Sequence, residues 1–175
     1  MRRNTLKIIG GIVIAAVIGI GLVWRFVPKS GTPKECVNIN EGIFIADGGN
    51  KHVELGDDHP PYNSNPPTSG WHTPYTAKWG VSNDPIPNEI QTHNLEHGGI
   101  AIQYKQGISN ETKQKLEEIV KRYTSKVLMA PRESLDRNIA LTAWTYLDKM
   151  DEFDECRIVG FINAHINKGP EFTPD

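Results

Sequence analysis

The chain has 175 residues, with 19 Lys and Arg against 21 Asp and Glu, a formal charge of −2. Without Arg2, Arg3, Lys7 and Arg25 the remainder carries 15 basic and 21 acidic residues, a charge of −6, which argues against nucleic acid and favours a soluble surface. After the first stretch about 140 residues remain, one ordinary domain able to bury a core.

Taken in chain order, the N-terminus comes first. Arg2, Arg3 and Lys7 precede Ile8 to Trp24, 17 residues without a charge. A helix rising ~1.5 Å per residue needs about 17 to 25 residues to span hydrocarbon, so the run is just long enough. Trp24, Arg25, Phe26 and Val27 follow it, with no small-residue cleavage site, so an uncleaved signal anchor is favoured over a cleaved signal peptide. Arg25, Lys29 and Lys34 nearly balance the basic N-terminus. The shortness of the tail tips the orientation. The reading is a cytoplasmic tail over 1–7, a transmembrane signal anchor over 8–27, a Pro/Gly/Lys linker over 28–35 and an extracytoplasmic domain over 36–175. That describes a single-pass protein of the plasma membrane.

Cys36 and Cys156 are the two cysteines. In an oxidising compartment an even count favours a disulfide over two thiols or a bridge to another chain. Closing a loop of ~120 residues stabilises by roughly 4–5 kcal/mol in the chain-entropy model.

From Gly48 to Pro87 there are seven prolines, interleaved with glycines and asparagines. Such composition suggests disorder, but Trp71, Tyr75 and Trp79 argue for an ordered functional loop that something must hold down. If residues 88–97 are helical, Gly98 is the C-terminal cap and His93 and His97 share a face. "IAIQY" (100–104) predicts a strand, and Ser109 or Asn110 caps a helix through "ETKQKLEEIVKRY". "KVLMAP" predicts a buried strand stopped by Pro131, "NIALTAW" another, and "DEFDECRIVGFINAHI" a final helix. The fold class is α+β: a small mixed sheet covered by helices, preceded by the Pro/Gly-rich loop and one N-terminal transmembrane helix.

Five of the six histidines fall between residues 52 and 97: His52, His59, His72, His93 and His97. Any one alone is more often a surface or satisfied core residue than a ligand. Together, on a loop that needs ordering, they suggest a metal, because ligation offsets the entropy of fixing the chain. His59, before two prolines, is the weakest candidate, and His165 reads as a surface residue. His93, Glu96 and His97 also spell H-x-x-E-H, a reversed zinc-protease signature. That class needs a sustained helix, whereas Gly98 and Gly99 end any helix at once. Glu96 reads instead as a group orienting a ligating imidazole through its other ring nitrogen, or as a fifth, weak ligand. Tyr62, Trp71 and Trp79 are candidate walls.

"YNSNPPTSGWHTPY" (62–75), "QTHNLEHGGIAIQY", "LMAPR", "LTAW" and "GPEF" resemble a family of uncharacterised prokaryotic extracytoplasmic proteins, a domain of unknown function usually carrying one N-terminal membrane segment. The likeness spans roughly residues 50 to 172. It implies that His52, His72, His93 and His97 belong together with Glu96, that His59 and His165 stand apart, and that copper handling is the setting. Some relatives carry a cysteine near the place of Trp79, which this chain lacks.

The leading expectation is a membrane-anchored metal-binding protein. It would use His52, His72, His93 and His97, hold copper in preference to zinc, and serve as chaperone, sensor or buffer, with a metal-handling protein as partner. The alternatives are a metal-dependent hydrolase or oxidoreductase using H-x-x-E-H, and a metal-free interaction module. Binding without catalysis is favoured, and no nucleic-acid partner is expected.

Overall fold

The structure is a computed structural model that describes residue 36, residues 40–171 and residue 173. The tail, the anchor over 8–27 and the linker lie outside the described residues. Among those described, no helix is long and apolar enough to cross a membrane. In chain order the elements are β1 (Ile43–Phe44), β2 (Gly80–Val81), α1 (Asn88–Glu96), β3 (Ile100–Lys105), α2 (Asn110–Val120), β4 (Val127–Arg132), β5 (Ile139–Ala143), β6 (Tyr146–Met150) and α3 (Glu155–His165). They form a six-stranded mixed sheet of order β1-β6-β5-β3-β4-β2 with three helices, an α+β arrangement. β2, β4 and β3 are mutually parallel, and β3, β5, β6 and β1 alternate in direction.

Side chains alternate across a strand, so the sheet sorts its residues to two faces. Ile100, Ile102 and Tyr104 of β3 and Val127 and Met129 of β4 point to one side. There Leu116, Ile119 and Val120 of α2 and Ile158, Phe161 and Ile162 of α3 cover them in one apolar cluster. Ala101 and Leu128 point the other way, into a smaller cluster with Leu95, Trp144, Ala77, Trp79 and Ile86. The long loop and α1 cover that second face.

Both ends of the sheet are two-residue strands, which limits the backbone left open to pairing. The disulfide Cys36–Cys156 joins the segment before β1 to the first turn of α3. Asn40 reinforces it, donating to Asp148 of β6 and to the Arg157 carbonyl. Ser109 caps α2 by accepting from the Thr112 amide, and Asp154 caps α3 by accepting from that of Arg157.

Four expectations need correction. Pro131 does not stop its strand, since β4 runs on to Arg132 with Pro131 beside Tyr104 of β3. The Met129 carbonyl accepts from Ser82, so the β2 side of β4 is the side of residues 129 and 131. β2 has ended before Pro131, and a missing N–H there breaks no ladder bond. A strand also stands where a plain connection was read. β6 pairs with β5 across the two-residue turn Trp144–Thr145, with Thr145 at φ 62°. Finally, His165 is buried: its Nε2 donates to the Glu41 carbonyl at 2.9 Å, and its ring lies 4.2 Å from Tyr146 and 4.6 Å from Phe161. The helix carrying it starts at Glu155, not at Asp151.

Candidate metal centre

Helix α1 has a composition no ordinary core would choose. Gln91, Thr92, His93, Asn94, Leu95 and Glu96 are all buried, and five of the six are polar. Positions i, i+3 and i+4 place His93, Glu96 and His97 on one face. The helix ends as the glycines demand. Gly98, at φ 75°, donates to the Leu95 carbonyl and Gly99 to that of Asn94, a Schellman cap. The chain then enters β3 directly, which fixes His97 just ahead of the start of that central strand.

The loop supplies the other two histidines. Residues 48–53 run beside residues 69–73 as a short ribbon: Gly70 donates to Gly49, His72 to Lys51 and Val53 to His72. His52 and His72 are thereby bridged neighbours. Gly70, at φ 126°, faces the Tyr62 ring so closely that a β-carbon would strike it, and the Tyr62 hydroxyl donates to the Trp71 carbonyl. Asn94 of α1 pairs with both backbone groups of Ala77, at 2.7 and 2.9 Å. Arg132 holds Asn65, and Thr145 donates to Thr68. Hydrogen bonds to α1, β4 and the β5–β6 turn thus order the Pro-rich loop.

Four imidazoles meet where ribbon and helix touch. Ring centroids are 5.0 Å apart for His52–His72 and His52–His93, 5.1 Å for His72–His93 and 4.3 Å for His93–His97. The Glu96 carboxylate sits among them, 2% exposed. Its Oε2 is 2.9 Å from His72 Nε2, 3.6 Å from His52 Nε2 and 3.9 Å from His93 Nε2. His97 Nε2 lies 2.9 Å from His93 Nε2 and 3.5 Å from the carboxylate of Glu171. These spacings bracket the ~3.3 Å separating neighbouring donors on a tetrahedral ion with ~2.0–2.1 Å bonds.

The protonation pattern decides what such a cluster wants. His72 Nδ1 is 2.7 Å from the Gly70 carbonyl oxygen, which can only accept, so Nδ1 carries the proton. In the neutral ring Nε2 is then a lone pair aimed at Glu96 Oε2. Burial pushes the Glu96 carboxyl up, but hydrogen bonds from Asn50 and His72 and the charges of His72 and His93 outweigh it, leaving the group below the usual carboxylate range and ionised. With His72 neutral, two acceptors would face each other, so the contact calls for a positive charge beside both. A second proton on His72 or a metal ion meets that need. A proton is poorly suited to His93: burial, then the neighbouring His97, His72 and His52, depress it, with Glu96 opposing. His93 Nδ1 is also buried without a hydrogen-bond partner. One metal ion satisfies several lone pairs at once, so the donor set fits a metal.

All four predicted ligands are brought together, and they divide. His52, His72, His93 and Glu96 form one set of potential ligands, and His93, Glu96, His97 and Glu171 a second. Glu96 approaches the same nitrogen, Nε2, on His52, His72 and His93; for His72 the other ring nitrogen is already held by Gly70. His59 stands apart, 3.8 Å from Glu89 and against Tyr62. The ring set edge-on to the cluster is Trp144, 6.1 Å from His72. Of the three proposed walls, Tyr62 braces the loop, Trp71 takes the Lys51 ammonium at 4.1 Å, and Trp79 packs on Gly99. Sequence reasoning missed Trp144 and Glu171. Its one signal for Glu171 was the "GPEF" stretch, to which it gave no role.

Residues 54–174 match the model of a family described as a protein of unknown function, DUF3105, and the chain belongs to that family. Neither the curated proteins nor the solved structures give a match.

Proposed function

We propose that this DUF3105 chain is a membrane-anchored, extracytoplasmic protein that binds a transition metal through His52, His72, His93 and His97 with Glu96, copper(II) being favoured over zinc(II). Its role is to carry, sense or buffer that metal for a metal-handling partner. The observation that supports it most is the His72–Glu96 contact, Nε2 set 2.9 Å from a buried carboxylate while Nδ1 is held by the Gly70 carbonyl.

The donors suit this choice. Both cysteines are tied in the disulfide, and Met129 and Met150 lie in the apolar cluster on the opposite face of the sheet. What remains is imidazole and carboxylate, a set on which the general affinity order places Cu(II) above Zn(II). Hydrolysis is a poorer reading. A general base in H-x-x-E-H must be free to take a proton from water. Glu96 is engaged by three histidines and Asn50.

Calorimetric titration of the purified protein with Cu(II) and Zn(II) tests the proposal. His72→Ala and His93→Ala should each abolish most of the affinity. Glu96→Gln should weaken binding by at least the ~10–100-fold seen when a group that orients a ligand is lost. Equal affinity in wild type and these variants, or no binding at all, would overturn it in favour of a metal-free interaction module. Placement is checked separately, by adding protease to spheroplasts. The C-terminal domain should be degraded, and full protection would reverse the topology.

A further inference from the structure

We infer that the centre is a two-metal site, its second ion held by His97 and by Glu171 of the C-terminal segment, with Glu96 shared between the two positions. This rests on the metal-binding reading above and extends it to stoichiometry and to a residue that reading does not use.

Two observations carry it independently. The first is the partition of donors. Within each of the two sets the donor atoms lie within 4.8 Å of one another, and the sets share only His93 and Glu96. Donors on a single ion with ~2.1 Å bonds stand no more than ~4.2 Å apart, so two sets joined at two members describe two adjoining positions better than one. An imidazole Nε2 has one lone pair and serves one ion, whereas a carboxylate has two oxygens and can give one to each. Glu96 is therefore the bridge, giving each position three protein ligands, and His93 supplies a fourth to one of them. His52 and His72 hold the inner ion, His97 and Glu171 the outer.

The second observation is the way Glu171 is delivered. After α3 the chain folds back onto the end of α1: Asn167 donates to the Gly98 carbonyl at 2.8 Å, and Glu171 donates to that of Glu96 at 3.1 Å. Gly98 and Gly169 face this contact so closely that a β-carbon on Gly98 would strike the Asn167 backbone, and one on Gly169 the Glu96 carbonyl. The Lys126 ammonium clamps both partners, donating to the His97 carbonyl at 3.1 Å and to the Thr173 carbonyl and hydroxyl at 2.9 Å. A backbone-to-backbone seam that only glycine fits holds the Glu171 carboxylate over His97 before any ligand arrives. Its side chain is 53% exposed, against 2% for Glu96. The outer position thus faces solvent through Glu171, where an ion can be accepted or passed on, while in the inner one His72 and Glu96 are buried and His52 is the exposed ligand.

The test loads the full-length protein, purified in detergent, with excess Cu(II), removes unbound ion, and measures copper per chain and the electron paramagnetic resonance spectrum. Two ions about 4 Å apart couple magnetically and produce a half-field line. Wild type should hold two ions and show that line. Glu171→Gln should hold one and lose the line, with its melting curve without metal unchanged because the altered group is half exposed. One ion per wild-type chain without coupling would overturn the second position and leave the proposed function standing. No bound ion would overturn both. A coupled pair retained in Glu171→Gln would remove Glu171 from the site and overturn the inference as stated.

Discussion

The two faces of the sheet are built on opposite principles. The face under α2 and α3 is dry and aliphatic, and its cohesion comes from apolar area withdrawn from water. The face under α1 and the loop has a small apolar patch around Leu95 and Trp144, and beyond it is assembled from hydrogen bonds. It also buries ionisable groups that packing alone does not require. Several of its polar atoms lack partners, among them Gln91 Nε2 and His93 Nδ1. One sheet has made two environments: one face stabilises the fold, and the other holds a reactive polar cluster in place at some cost to stability.

That contrast can be broken by mutation. Phe161 is fully buried in the apolar cluster, so Phe161→Ala should cost about 3–5 kcal/mol in chemical denaturation. The loss should be the same with and without metal. An equally large loss confined to metal-free protein would erase the distinction between the faces. On the opposite face, saturating metal at ~100 times its dissociation constant should add about 2.7 kcal/mol to stability. Hydrogen exchange should slow in residues 48–79 and in α1, with little change in α2. His72→Ala should abolish both effects. Protection spread evenly over the sheet would mean that the loop is not the element metal orders.

Asn94→Ala sharpens the comparison. It unpairs the Ala77 amide and carbonyl without touching a proposed ligand and should cost roughly 1–3 kcal/mol. It should also weaken metal binding by loosening the loop, whereas an unaltered affinity would show that the ribbon places His52 and His72 unaided. The smallest effect belongs to His165, the one histidine under the dry face. Burial lowers its pKa, partly offset by its bond to Glu41. Because the folded value lies below the unfolded one, the neutral ring is favoured by folding. Stability is complete above the unfolded value of ~6.5, declines as pH falls through it, and levels off below the folded value. In chelator, His165→Gln should flatten that part of the stability–pH curve, and an unchanged slope would assign the decline to other groups.

The dry face was largely legible in the sequence, because burial imposes a period on the residues that experience it. β3, α2 and β5 follow from their apolar spacing and from Ser109. β6 was not legible because its turn, Trp144–Thr145, lacks the glycine or asparagine that usually marks a tight hairpin. Pro131 misled because its meaning depends on where β2 ends, a tertiary fact. On the polar face the histidines and the Gly98 cap could be read, since residue type and spacing carry those signals. Glu171 could not, because an acidic side chain near a terminus looks like solvent-facing charge until the chain folding back beneath it is seen. His165 looked like a surface residue for the same reason: its partner Glu41 is 124 positions away.

The disulfide has a mechanical meaning as well as a thermodynamic one. Tension applied to the chain ahead of Cys36 reaches the Cys36–Cys156 bond before it reaches β1, a two-residue strand that would otherwise peel away residue by residue. The load passes instead into the first turn of α3, whose Ile158, Phe161 and Ile162 are locked into the dry face. Force from the N-terminal side thus enters the dry face first, on the side of the sheet away from the histidine cluster.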